Sequence, residues 1–193
     1  MNYTRGKGIL ENFLAKKRAK ITQKHIKKQH RKGRILDIGC GQIPFFLINT
    51  KFNEKFGLDQ IESKSNNIPI KKFDINKESL LPFETNYFDT ITMLAVFEHI
   101  EPEKLVNLMQ EINRILKPRG RFILTTPCTW TDKLLRIMAK LNLVSKSEIE
   151  EHKDAYSHKQ IKSILIKGNF KKERIKTGYF EFFLNNWAYA DKV

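Results

Sequence analysis

The sequence predicts an α/β protein with a doubly wound, mostly parallel sheet, and three observations lead there. From residue 34 onward, short apolar runs bounded by turn residues alternate with stretches of helical spacing, the pattern of strand, helix and strand in repetition. The first apolar run, Ile35 to Ile38, passes directly into Gly39-Cys40-Gly41, where glycine lets a strand end turn sharply. At 193 residues the chain is long enough to bury roughly 70% of its unfolded surface in one core. Its two cysteines, Cys40 and Cys128, stand in no Cys-x-x-Cys or Cys/His array, so neither a disulfide nor a metal cluster is expected to hold the fold.

The elements follow in order. Residues 8 to 30 read as a basic helix with Ile9, Phe13, Ile21 and Ile26 on an interrupted apolar side and Gly33 as its stop, so residues 1–33 are assigned to an N-terminal basic helical extension and 34–193 to the main domain. Ile35 to Ile38 is a brief buried strand, and Pro44 stands where the first turn of a helix tolerates proline. Lys55 to Leu58, Ile68 to Phe73 and Phe88 to Ala95 read as strands two to four. Leu105, Leu108, Met109, Ile112 and Leu116 recur at helical spacing over Glu103 to Leu116, and Pro118-Arg119-Gly120 is expected to end that helix before strand five, Arg121 to Thr125. An amphipathic helix around Asp132 to Leu143, an acidic stretch Glu148 to Asp154 and a helix Ser157 to Lys167 follow. The aromatic, alternating end from Phe170 to Tyr189 suits antiparallel strands at the sheet edge, which makes seven strands in all.

The formal net charge of +15 is not spread evenly. Residues 1–34 hold twelve Lys/Arg against one acid, leaving 24 basic and 20 acidic residues in the rest. Ten of the basic residues lie in the acid-free run Lys16 to Arg34, so the body of the protein has an ordinary charge balance. No signal-like apolar stretch opens the chain, and the longest apolar run, around Ile91 to Phe97, falls far short of the roughly 20 residues that span a bilayer. A cytoplasmic location is expected.

In an open parallel sheet a ligand binds beyond the carboxyl ends of the strands at the switch point, where Asp37-Ile38-Gly39-Cys40-Gly41 falls. Asp59 ends strand two twenty residues after Gly39, the spacing at which an acid meets a ribose diol. A dinucleotide fingerprint beginning at Gly39 would need glycine at 44, where Pro44 stands, and no phosphate-loop Lys-Ser/Thr is present. A ligand with ribose and adenine but no phosphate fits these residues better.

At these residues the sequence resembles the class I S-adenosylmethionine-dependent methyltransferases, particularly the type 11-like group with glutamate-histidine after strand four. The matching blocks are Ile35-Leu36-Asp37-Ile38-Gly39-Cys40-Gly41, Gly57-Leu58-Asp59, Phe73-Asp74-Ile75, Leu81-Pro82-Phe83, Phe88-Asp89-Thr90-Ile91, Phe97-Glu98-His99-Ile100 and Glu111 to Gly120. The resemblance implies a Rossmann-like domain with S-adenosyl-L-methionine as cofactor. It implies that Asp37, Gly39, Cys40 and Gly41 hold the methionine end, Asp59 with Gln60 the ribose, Asp74 with Ile75 the adenine, and Leu94-Ala95 the face beneath the sulfonium. The family's third loop glycine is replaced by Ile43, and Gln60 to Asn67 is too short for a full helix. The Cys40 thiol itself has no residue beside it to activate it and is read as structural.

His99 follows strand four beside the implied methyl position and is the candidate base or acceptor-orienting group. His152, Tyr156 and His158 form a second cluster ahead of the last helix, with acceptor contact expected of His152 and Tyr156. Glu98 is read as a loop-orienting carboxylate. Trp130, Leu134, Ile137, Met138 and Leu141 make an apolar stripe that is core or an acceptor cover. The leading functional reading is methyl transfer to an oxygen or nitrogen of a small, sugar-like or lipid-linked acceptor, with Lys16 to Arg34 docking on an anionic membrane surface from the cytoplasmic side. Two others stay open: an RNA methyltransferase using those lysines as a phosphate clamp, and a non-catalytic S-adenosylmethionine-binding module. The aromatic-proline tetrad common in base-modifying amino methyltransferases is absent, since Ala95-Val96-Phe97-Glu98 stands there.

Overall fold

The computed structural model describes residues 10–61, 68–131, 154–181 and 183–193. It contains the helices α1 (Glu11–His25), α2 (Phe45–Ile48), α3 (Pro102–Ile115) and α4 (His158–Lys167). Its strands are β1 (Arg34–Ile38), β2 (Glu54–Asp59), β3 (Ile70–Lys72), β4 (Phe88–Leu94), β5 (Leu116–Pro127), β6 (Ile175–Phe180) and β7 (Asn185–Asp191). The strands form one seven-stranded sheet in the order β3-β2-β1-β4-β5-β7-β6. The ladders from β3 through β5 are parallel, and β7 pairs antiparallel with both β5 and β6. The expected Rossmann-like sheet is therefore present, with antiparallel pairing at its far side. β7 runs against the others from the penultimate position, and β6 at the edge runs with them.

Both sheet faces are covered. Leu36, Ile38, Phe122 and Leu124 pack with Leu105, Met109 and Ile112 of α3 and Ile161 and Leu165 of α4, while Ile35 and Ile123 pack on the opposite face with Ala19, Ile26, Phe46 and Leu47. Burial on both sides is why β1 and β4 read as near-continuous apolar runs rather than alternating ones. A bidentate pair ties the segment before β4 to α3. Arg114 donates to both Glu111 oxygens at 2.7 Å and to the carbonyls of Phe83 and Leu81, and Glu111 Oε2 also accepts from the Leu81 amide at 2.9 Å. Those charge-assisted bonds hold the Glu111 carboxyl below its usual range despite burial.

Three expectations are corrected. The first helix ends at His25, because Ile26 is extended, and a 3-10 turn Lys28–Lys32 follows, with buried His30 sharing a 3.1 Å hydrogen bond with Thr90 Oγ1. Its buried side is Ala19, Thr22 and Ile26 rather than Phe13 and Ile21, and Phe13 is exposed. Strand five begins at Leu116, directly after α3, and the Pro118-Arg119-Gly120 turn lies inside it as an irregularity between the pairs Phe88↔Leu116 and Thr90↔Arg121, with Arg119 at φ 63°. Proline cannot donate to a ladder, so a bulge is where a strand accommodates it. The expected helix Asp132 to Leu143 and most of the acidic stretch lie outside the described residues. Among the described residues no helix is long and apolar enough to cross a membrane.

Gly168 closes α4 against α3. A Cβ there would sit 2.2 Å from Met109 Cβ and 3.1 Å from its backbone carbon, so the helices approach as they do because residue 168 has no side chain. Gly168→Ala is expected to destabilise the protein by about 1–3 kcal/mol through overpacking. Urea unfolding should show a lower midpoint at unchanged slope, and an unchanged midpoint would contradict this packing.

Candidate functional site

The parallel ladders bring the ends of β1, β2 and β4 together at one edge. Asp37 pairs with Gly57 on one side and Thr92 on the other, so the chain leaving β1 is flanked by the chains leaving β2 and β4. It turns there with Gly39 at φ 72° and Gly41 at φ 75°, in the left-handed region that favours glycine. The amides of Gly39 and Cys40 both donate to the Leu58 carbonyl, at 2.8 and 3.2 Å. Gly41 donates to Asp59 Oδ2 at 2.8 Å, and Ile61 to Asp59 Oδ1 at 3.0 Å, so the acid ending β2 clasps the turn ending β1.

Asp37 lies just below this turn. It is 3% exposed, and its Oδ1 accepts from the Thr92 hydroxyl at 2.6 Å. Burial, aided by the nearby Asp59 charge and opposed by the Thr92 bond, pushes its carboxyl up to about 7. The Cys40 thiol is buried, lies 3.7 Å from the Gly41 carbonyl and faces the space where a Gly57 Cβ would be. That is the structural placement expected of the thiol, leaving the backbone of residue 40 in the loop.

Beyond β2 and β3 the surface opens into a cleft of about 600 Å³ lined by Gln60, Ile61, Lys72, Phe73, Asp74 and Lys77, with Glu78 beside them. Asp74 is fixed by the Asn76 amide at 3.0 Å, Gln60 Nε2 at 3.2 Å and Lys77 Nζ at 3.4 Å. Ile75 is half-buried beside it. Asn76 then spans to the next loop: its amide nitrogen donates to the His99 carbonyl and its oxygen accepts from the Glu101 amide, both at 3.3 Å, while Lys104 Nζ bonds the Asn76 carbonyl.

After β4, half-buried Leu94 leads into Ala95, which adopts φ 56° and donates to the Thr125 carbonyl at 2.9 Å. A non-glycine residue there costs on the order of 1 kcal/mol, held by the surrounding bonds. The 3-10 turn Phe97–His99 follows. Phe97 is fully buried, Glu98 is 1% exposed and accepts from Thr126 Oγ1 at 2.9 Å, and His99 is half-buried.

Of the second candidate cluster, Tyr156 and His158 are among the described residues. Tyr156 is core: it is buried, packs edge-on against Phe97 with centroids 4.8 Å apart, and burial pushes its phenol up to about 12, so the expected acceptor contact gives way to support beneath the His99 turn. His158 starts α4, lies with its ring tilted against Tyr179 at 4.2 Å between centroids and shares a hydrogen bond with the Gly178 carbonyl. His152 lies outside the described residues, as do Leu134 to Leu141 of the apolar stripe; Trp130 is exposed. Sequence reasoning missed Thr92, Asn76 and Thr126. Each acts across strands or loops far apart in sequence, so only the register reveals it.

The residues fit S-adenosylmethionine. Two buried carboxylates, Asp37 and Asp59, stand at the glycine turn, where a cationic sulfonium and ammonium would offset their burial, and the adenine side offers Asp74 and an open cleft. The sign for stability in the cofactor-free protein follows from Asp37. Its folded pKa lies above its unfolded one, so the folded state binds the extra proton, and stability is expected to fall as pH rises from about 4 toward about 7. Asp37→Asn should flatten that fall. Urea unfolding at pH 5 and pH 8 measures it, and an equal fall in both proteins would remove Asp37 as the cause.

Comparisons with known proteins agree with this geometry. A family model described as a methyltransferase domain matches residues 9–175. An uncharacterized protein of Methanocaldococcus jannaschii is 36% identical over 90 residues, which are 46% of this chain and 38% of that relative's own length. In solved structures the fold is shared with an S-adenosylmethionine-dependent methyltransferase from Archaeoglobus fulgidus, at 19% identity and TM-score 0.69 over 97% of this chain and 96% of that one. It is shared too with an S-adenosylmethionine-dependent methyltransferase from Thermotoga maritima, at 16% identity and TM-score 0.71 over 94% and 90%. The chain belongs to the methyltransferase-domain family and is a class I S-adenosylmethionine-dependent methyltransferase, an enzyme with S-adenosyl-L-methionine as its cofactor.

Proposed function

We propose that the enzyme methylates an oxygen or nitrogen of a small, sugar-like or lipid-linked acceptor. The cofactor supplies an electrophilic methyl group on its sulfonium. In this reading the chain's own residues do the rest: Asp37 and the Gly39 to Gly41 turn hold the methionine end, Asp59 and Gln60 the ribose, Asp74 and Ile75 the adenine, and Leu94-Ala95 the floor under the methyl. The acceptor is aligned by the turn after β4, and His99 orients it or takes its proton.

The observation that carries this choice of acceptor is the burial of Phe97 and Glu98. At 0% and 1% exposed, neither presents a surface on which an extruded base could stack or pair, which supports a small acceptor over a base. On that turn Glu98 accepts from Thr126, and in this reading His99, after β4 beside the implied methyl position, handles the proton. The RNA reading rests on the basic run alone. The non-catalytic reading is separated by chemistry: titration with S-adenosylmethionine, followed by measurement of S-adenosylhomocysteine release against pools of sugars, lipids and RNA. Release with RNA alone would overturn the proposal, and release with none would favour a binding module.

Asp59→Ala should weaken S-adenosylmethionine binding by about 1–3 kcal/mol in a folded protein, because both the ribose contact and the clasp on Gly41 are lost. Unchanged calorimetric affinity would contradict the assignment. His99→Ala should leave that affinity near the parent's and lower turnover by about 10²- to 10⁴-fold if the histidine moves the proton. Equal turnover on an acceptor found by the release assay would exclude it from the chemistry.

A further inference from the structure

Helix α1 packs on β5 and β7 and beside α2. Its last turn is at the edge away from the cofactor turn, where Arg121 Nη1 bonds the His25 carbonyl at 2.8 Å and Lys27 pairs with Asp191 at 3.0 Å. Its middle lies along α2, the helix that follows the cofactor turn: Gln23 Nε2 donates to the Asn49 carbonyl at 3.3 Å, and Ala19 packs in one cluster with Phe46 and Leu47. β6 ends at the opposite edge, and β7 starts there with Asn185 paired to Pro127 at the end of β5. The turn between them is thus on the same side of the sheet as the Gly39 to Gly41 loop.

The inward side of α1 is Ala19, Thr22 and Ile26. Phe13, Lys16, Lys17, Lys20 and Lys24 fall at intervals of three, four, seven and eleven residues from the first, which places them in one outward stripe. All five are exposed, Phe13 at 53%, with Lys17 Nζ 5.0 Å from its ring centre. No acid occurs in the sequence from Lys16 to Arg34. In the turn between β6 and β7 Phe183 is 64% exposed and pairs with exposed Tyr179 at 5.5 Å. A row of lysines with exposed Phe13 among them, together with unburied rings in the turn at the cofactor end of the sheet, has the composition of a surface that meets phosphate head groups and dips rings into the interface.

We propose that the outer stripe of α1 and the Tyr179 and Phe183 rings form one docking face for an anionic phospholipid membrane, which turns the cofactor edge of the sheet toward the bilayer. Its use rests on the reading that the acceptor is lipid-linked, since that edge is where such an acceptor would enter. A membrane suits this face better than nucleic acid because the lysines lie on a convex helix surface, whereas single-strand binders track the phosphates along a groove. With its inner side already committed to the sheet, α1 would lie on the head groups rather than sink into them.

The test is co-sedimentation of the full chain with phosphatidylcholine vesicles, with and without phosphatidylglycerol, at low and high salt. Binding is expected only with the anionic lipid and is expected to fall at high salt. At about fivefold per lysine, the combined Lys16→Gln, Lys17→Gln, Lys20→Gln and Lys24→Gln variant should bind at least about 100-fold more weakly. Phe183→Ser should weaken binding several-fold at constant charge. Titration with S-adenosylmethionine should give the parent affinity in both variants, which confirms their folding and keeps this test apart from the enzymatic reading. No sedimentation at low salt, undiminished sedimentation of the lysine variant, or a gel shift with RNA in place of vesicle binding would overturn the proposal.

Discussion

The turn after β1 is the constraint on which the rest of the site depends. β1 sits between β2 and β4 in parallel register, so its outgoing chain must reverse in the narrow space left by both neighbours. It does so with two amides on the one carbonyl of Leu58 and a third on Asp59. A Cβ at Gly39 would come within 2.3 Å of Val96 Cγ2, so the turn after β1 and the turn after β4 are in contact. Asn76 extends the linkage from the loop after β3 to His99 and Glu101. The described residues of the loops after four strands therefore hold one another.

That arrangement carries a cost. Asp37 and Asp59 are each 3% exposed, and Asp37 is stabilised by a neutral hydroxyl rather than a cation. A buried carboxylate in such surroundings either takes up a proton or waits for a positive partner. The same electrostatics that weaken the empty fold above neutral pH favour a ligand carrying positive charge, and they disfavour the phosphate of a dinucleotide. The absence of glycine at residue 44 and the burial of Asp37 thus point to one ligand class for separate reasons.

Local chemistry is legible in the sequence; relations across the sheet are not. Gly39, Gly41 and the spacing to Asp59 can be read because turn geometry and strand length are short-range properties, and the two-faced burial of β1 and β4 shows as apolar runs. The Thr92 hydroxyl looks like any β-branched strand residue until the register sets it beside Asp37. Tyr156 looks like a site residue because it stands near histidines in sequence, whereas it packs on Phe97, far away along the chain. The start of strand five is misread because Pro118-Arg119-Gly120 is good turn chemistry whether it ends a helix or bulges a strand, and only pairing of Leu116 with Phe88 decides.

Helix α1 shows how composition can conceal packing. Its inner residues are small or polar, Ala19 and Thr22, so the sequence reads as a charged extension although the helix covers the β5 and β7 face, with His25 stacked on Trp187 at 4.0 Å. Close approach on small residues leaves the long lysine stems outside, and the excess charge of the chain is thereby gathered on one face of an otherwise balanced body. Because α1 packs on β5 and β7, the place of those lysines is set by the same packing that completes the fold.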